Sequence, residues 1–127
     1  MIVLDASVVI AYLDQNDRHH ERATEIFEQH AASGFRVHQL TLAEVLVGAV
    51  RIGRGNQLLD DLTSIGVVAS APAPGEPLIL SELRATTALK MPDCCVLSVA
   101  LHESLPLATS DDQLAQVARK LGVETLP

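Results

Sequence analysis

Four acids fall where an α/β chain could gather them. Asp5 closes the apolar run Met1-Ile2-Val3-Leu4, and Glu44 lies one helical turn beyond a second strand. Asp93 follows Pro92 in the first turn of an apolar helix, and Asp111, with Asp112 beside it, comes just after a strand that ends near Thr109. Open α/β sheets bind ligands outside the carboxyl ends of their strands, which is the edge these positions share. Carboxylates brought to one pocket repel one another and raise each other's pKa unless a cation sits between them. Mg2+ or Mn2+ fits that need, because both favour carboxylate and water oxygens and accept phosphate oxygens as remaining ligands. The chemistry pointed to is metal-assisted phosphodiester hydrolysis.

A plainer role competes at some of these positions. Glu44 and Asp111 both stand in capping positions, where acids favour a helix start without any metal, and Asp112 reads as solvated or capping. Asp5 resists this explanation: a carboxylate after four apolar residues is shielded from water and needs a specific partner. Ser7 either supports the site by hydrogen bonding or helps cap a short helix. Arg51 and Arg54, around Gly53 and Gly55, are candidate phosphate contacts or a solvated loop. The five histidines show no zinc or metalloprotease spacing.

Composition narrows the setting. A chain of 127 residues is long enough for one hydrophobic core, so residues 1–127 are expected to form a single domain. Apolar residues make up 48% of it, yet there are only two Phe, one Tyr and no Trp, so the core must be aliphatic and bases would find almost nothing to stack on. A net charge of −7 disfavours a passive nucleic-acid binder and leaves phosphate binding dependent on imported positive charge. Cys94 and Cys95 are adjacent in an apolar run and offer neither a disulfide framework nor a zinc pattern. The N-terminus has no basic leader and is too short before Asp14 to span a bilayer, so a soluble cytoplasmic protein with no membrane partner is expected.

The elements that must position the acids alternate. Strands are expected at 1–5, 35–40, 67–69, 105–108 and 123–126, with helices at 7–13, about 19–31, from Thr41, from Asn56 to Ile65, 76–90, from Pro92, and from a Ser110-to-Gln113 capping box. Cys94, Leu97 and Leu101 join Val96, Val99 and Ala100 in making the sixth helix apolar nearly all round, hence buried. Alternation of this kind implies right-handed crossovers and a mostly parallel central sheet of about five strands, with helices on both faces.

The run from Ile2 to Leu13, Glu44 after the second strand, Leu89-Lys90-Met91-Pro92-Asp93, and Leu107-Ala108-Thr109-Ser110-Asp111 together resemble, in order and over essentially the whole chain, the PIN-domain ribonucleases, more closely the VapC toxins of toxin–antitoxin pairs. The resemblance implies a PIN-like α/β fold and an endoribonuclease dependent on Mg2+ or Mn2+. It makes Asp5, Glu44, Asp93 and Asp111 the metal site, with Ser7 and Thr109 in support. It further implies an RNA substrate, a homodimer, and a VapB-like antitoxin whose tail enters the active-site groove. Cys94 departs from the small residue usual after the Pro-Asp pair. Two rivals fit less well: a dehalogenase-like phosphatase needs an acid where Ser7 stands, and a receiver domain needs paired acids after the first strand. A catalytically silent PIN-like module that only binds a partner is the remaining alternative, disfavoured by the retention of all four acids.

Overall fold

Ile2–Leu4 (β1) has only apolar side chains and is buried throughout, as a central parallel strand must be. The computed structural model describes residues 1–126. From β1 the chain runs through helices Ala6–Leu13 (α1) and His20–His30 (α2) to strand Phe35–Val37 (β2). Helices Gln39–Arg51 (α3) and Gly55–Ser64 (α4) lead to strand Val67–Ala69 (β3). Then come Glu76–Thr86 (α5), Met91–Glu103 (α6), strand Leu107–Ala108 (β4) and Asp112–Lys120 (α7).

The sheet is wholly parallel, in the order β3-β2-β1-β4. Its register sets Val3 opposite Arg36 on one side and Leu107 on the other. The chain steps from β1 to β2 to β3 in one direction and then crosses to the far side of β1. Two cores result from this reversal. Ile2 and Leu4 pack with Val8, Phe27, Val45 and Leu62 from α1 to α4, whereas Val3 faces the opposite side with Leu83, Leu97 and Leu114 from α5 to α7. Period-two alternation of β1 thus feeds both layers. Gly34 and Gly66, at φ of 80° and 94°, turn side by side into β2 and β3, and a Cβ on Gly66 would lie 3.5 Å from the Gly34 Cα.

The alternating architecture matches the expectation, with corrections in detail. The sheet has four strands rather than five. Residues 123–126 make only one parallel bridge, Thr125 to Leu107, because β4 itself offers two residues for pairing. The second strand stops at Val37 instead of residue 40, since His38 and not Thr41 caps α3, its Nδ1 accepting the Leu40 N–H at 3.0 Å. Thr41 is instead buried. Asn56 lies inside α4, which Gly55 opens. The fifth helix ends at Thr86, four residues short of Lys90, where the extended Thr87 donates to the Leu83 carbonyl and accepts the Leu89 N–H. Asp111, not Ser110, caps α7.

The sixth helix is buried as expected from Cys94 to Ala100, but Leu101, also expected inside, is exposed. Burial raises the Cys94 thiol above its ordinary range and pushes Cys95 up to about 11. Both thiols should therefore resist a maleimide in the native protein and react together only on unfolding. Stoichiometric labelling by mass spectrometry with and without denaturant checks this.

Candidate active site

The crossover that places β4 beside β1 creates a switch point between their carboxyl ends, and Asp5 and Thr109 meet there. Asp5 comes directly after β1 and is 8% exposed. It stands at the N-cap of α1 but makes no side-chain capping bond. Its Oδ2 instead accepts two hydroxyls, Ser7 Oγ at 2.8 Å and Thr109 Oγ1 at 2.7 Å. Each hydroxyl is itself oriented by a backbone donor: Ser110 N–H to Ser7 Oγ at 3.2 Å, and Asp111 N–H to Thr109 Oγ1 at 3.0 Å. Chains of this kind polarise along their length, so two peptide dipoles reinforce the bonds that hold Asp5. The buried acid has its specific partners, and Oδ1 is left outside this network.

Asp111 reaches the same edge from the start of α7, where its Oδ1 accepts the Leu114 N–H at 3.0 Å. The capping reading holds for that oxygen alone. Glu44 loses its capping explanation altogether, because α3 begins at Gln39 and His38 is the cap. It is exposed, one turn into the helix, and its side chain takes no part in the site's hydrogen bonds. Asp93 sits half-buried in the first turn of α6.

The electrostatics show that the four acids share one region. Burial, then the charges of Asp5, Asp111 and Glu44, push the Asp93 carboxyl from its ordinary 3.8 to about 6, opposed only by Lys90. Lys90, the N-cap residue of α6, is the nearby cation that the sequence did not single out. Its place next to a Met-Pro-Asp helix start was the available signal. Among the described residues, no three acidic, histidine or cysteine side chains stand close enough to hold one ion between them. They are near enough to repel and not drawn in.

Asp112 is exposed at the first residue of α7 and joins no side-chain bond of the site. Arg51 and Arg54 are exposed at the far end of α3 and the start of α4. Arg51 is seven residues, about 10 Å of helix, beyond Glu44. Neither arginine is brought into the acidic cluster.

The PIN domain family model matches residues 2–120. The chain belongs to the PIN domain family. No curated protein matches it. Among solved structures, a VapBC2 complex from Rickettsia felis bound to a promoter DNA fragment superposes with a TM-score of 0.75 at 16% identity, covering 99% of this chain and 98% of that one. FitAcB from Neisseria gonorrhoeae gives a TM-score of 0.73 at 18% identity, over 100% and 97% of the two chains. A toxin–antitoxin complex from Klebsiella pneumoniae gives 0.69 at 21% identity, over 92% of each. At these identities the likeness establishes the PIN fold.

A raised carboxyl pKa has a consequence for the stability of this PIN domain. Between the ordinary 3.8 and about 6 the folded protein holds a proton on Asp93 that the unfolded chain has released. The associated stabilisation is therefore complete below that range and is lost as pH rises through about 6. Asp93→Asn removes the titration. In chelator, the melting temperature of wild type minus that of Asp93→Asn should fall between pH 4 and 7, as measured by parallel thermal melts. A flat difference would show that neither burial nor the neighbouring charges raise Asp93.

Proposed function

We propose that this PIN domain, spanning residues 1–127, is an endoribonuclease dependent on Mg2+ or Mn2+ and the toxin of a toxin–antitoxin pair. The observation that supports the proposal is that Asp5 and Thr109 meet at the β1/β4 switch point while the charges of Asp5, Asp111 and Glu44 all raise the Asp93 carboxyl. The donor set fits a hard divalent ion: it is all carboxylate oxygen, Asp5 keeps Oδ1 free of its hydroxyl network, and nothing but Lys90 offsets the charge. Such an ion, when bound, supplies Lewis-acid polarisation of phosphate and a nucleophile at neutral pH.

The residues do the positioning. Ser7 and Thr109 hold one oxygen of Asp5 and the Leu114 N–H holds one oxygen of Asp111, leaving the second oxygen of each outside these bonds. Glu44 and Asp93, free of such bonds, can orient an attacking water and adjust to the phosphate. Lys90 offers a direct phosphate contact, with Arg51 and Arg54 reserved for more distant RNA. Base stacking has no part, since Tyr12 stacks on Phe27 at a centroid distance of 4.0 Å and Phe27 packs at a tilt against Phe35 at 4.6 Å.

A partner is consistent with the surface. Ile10 and Leu13 of α1, Val47 and Val50 of α3 with Ile52 just after it, and Leu59 of α4 are all more than a third exposed. These helices pack side by side, and apolar exposure on that scale favours a protein partner. We assign that partner as a VapB-like antitoxin, with a homodimer as the toxin unit and the cytoplasm as its place. No helix among the described residues is long and apolar enough to cross a membrane.

Asp5→Asn, Glu44→Gln and Asp93→Asn should each lower RNA cleavage about a hundredfold or more, the rate equivalent of losing a few kcal/mol of transition-state stabilisation. Millimolar Mn2+ should stabilise the wild type by about 2.7 kcal/mol at a hundredfold excess over its Kd, and these variants much less. Asp111 separates capping from ligation: Asn keeps a cap and Ala costs about 0.5–2 kcal/mol with or without metal, yet both should lose activity. Cleavage assays and melts in chelator and Mn2+ read all of this. Full activity in any two of the first three variants would overturn the shared carboxylate site, and absence of cleavage by the wild type would leave a silent partner-binding module as the better reading.

Expression of the chain alone should arrest bacterial growth, and co-expression of a small DNA-binding protein encoded beside it should relieve the arrest. Growth curves at verified expression decide this, with Asp5→Asn as the inactive control.

A further inference from the structure

One half-buried polar bridge lies outside the acidic cluster yet joins the elements that carry it. His38 caps α3 through Nδ1, which accepts the Leu40 N–H at 3.0 Å. A ring nitrogen that accepts cannot carry the proton, so in the neutral ring the proton is on Nε2. Nε2–H then donates to Oε1 of Glu76, the first residue of α5, at 2.8 Å. Both side chains are 15% exposed, so the pair is well shielded from competing water.

The bridge has a clear mechanical position. It clamps the first turn of α3, the helix that carries Glu44, to the first turn of α5. Helix α5 packs along α6, which carries Asp93, and α3 packs on α6 as well. Exposed and without a hydrogen bond of its own, Glu44 depends on the setting of its helix.

We propose that His38 is a positioning residue that, through its two ring nitrogens, locks the start of α3 to Glu76 and so sets Glu44 beside Asp93 for metal binding. The metal-binding half rests on the nuclease reading above; the clamping half does not. Partners that orient ligating groups typically alter metal affinity by about 10- to 100-fold when removed. Acting one step further away, His38 should sit at the lower end.

The substitutions separate clamp from cap. His38→Asn keeps a good N-cap but cannot span to Glu76. Glu76→Gln keeps an acceptor for Nε2–H, whereas Glu76→Ala removes it. Two measurements are made on the full chain: hydrogen exchange of the amides at the starts of α3 and α5 in chelator, and Mn2+ affinity by thermal melts over a metal titration. His38→Asn and Glu76→Ala should quicken exchange at both helix starts and weaken Mn2+ binding about tenfold, while Glu76→Gln behaves like wild type. Unchanged exchange in His38→Asn would overturn the clamp whatever the metal does. Quickened exchange with unaltered Mn2+ affinity would overturn the assignment to Glu44. If wild type shows no Mn2+ response, the nuclease reading fails, the metal-binding half of the proposal is overturned with it, and exchange alone decides the clamp.

Discussion

The carboxylate of Asp5 ties the start of the chain to a segment 104 residues away. One oxygen receives Ser7 from the first turn of α1 and Thr109 from the end of β4, while its own backbone N–H donates to the Ala108 carbonyl at 3.1 Å. A carboxylate that is nearly buried is costly unless fully bonded, and truncating either hydroxyl would strand part of its charge. The sheet order obeys the same constraint. β4 must return to lie beside β1, not beyond β3, for Thr109 to reach Asp5, and that return crossover puts α5 and α6 on the second face. Asp93 comes to the edge as a result.

Much of this was legible because it is local. Four apolar residues before an acid mark a central strand and a carboxylate needing partners, and the continuous apolar run after Asp93 marks a buried helix; both readings need only neighbouring residues. The cap positions were less legible. Thr41-x-x-Glu44 and Ser110-x-x-Gln113 have the capping-box form, yet the capping is done by His38, three residues before the first, and by Asp111, one residue into the second. His38 was invisible as a cap because imidazoles seldom serve as one, and it does so here only with Glu76 holding its other nitrogen. That partner is 38 residues away. Likewise the hydroxyl bond from Thr109 spans 104 residues, so spacing could not reveal it and only the family resemblance pointed to it.

The corrected cap changes the weight of Glu44. An acid at the third residue of a capping box has a sufficient structural reason to be there. Once α3 starts at Gln39, that reason disappears, and an exposed glutamate remains with its charge felt at Asp93. The opposite happened to Asp111, whose capping role is real but occupies only one of two oxygens. Capping and ligation are therefore compatible at that position, since an N-cap bond fixes the carboxylate's direction at the same time as it stabilises α7.

A cluster of this kind strains the protein that carries it, and the strain is concentrated on α6. Asp93 enters that helix already disfavoured by burial and by three like charges, with only Lys90 in opposition. Directly after it the helix is buried without interruption for seven residues, from Cys94 to Ala100, more than any other helix of the structure. Among them Val96, Leu97 and Val99 each contribute roughly 1.5–3 kcal/mol on burial. That is enough to hold the helix start in place against the repulsion of a partly charged carboxyl. The helix is apolar on all sides because it is wedged between the sheet, α3, α5 and α7, and so it cannot retreat from the cluster by tilting. The acids are kept together by packing that none of them provides, and the repulsion left between them is what a divalent cation would relieve.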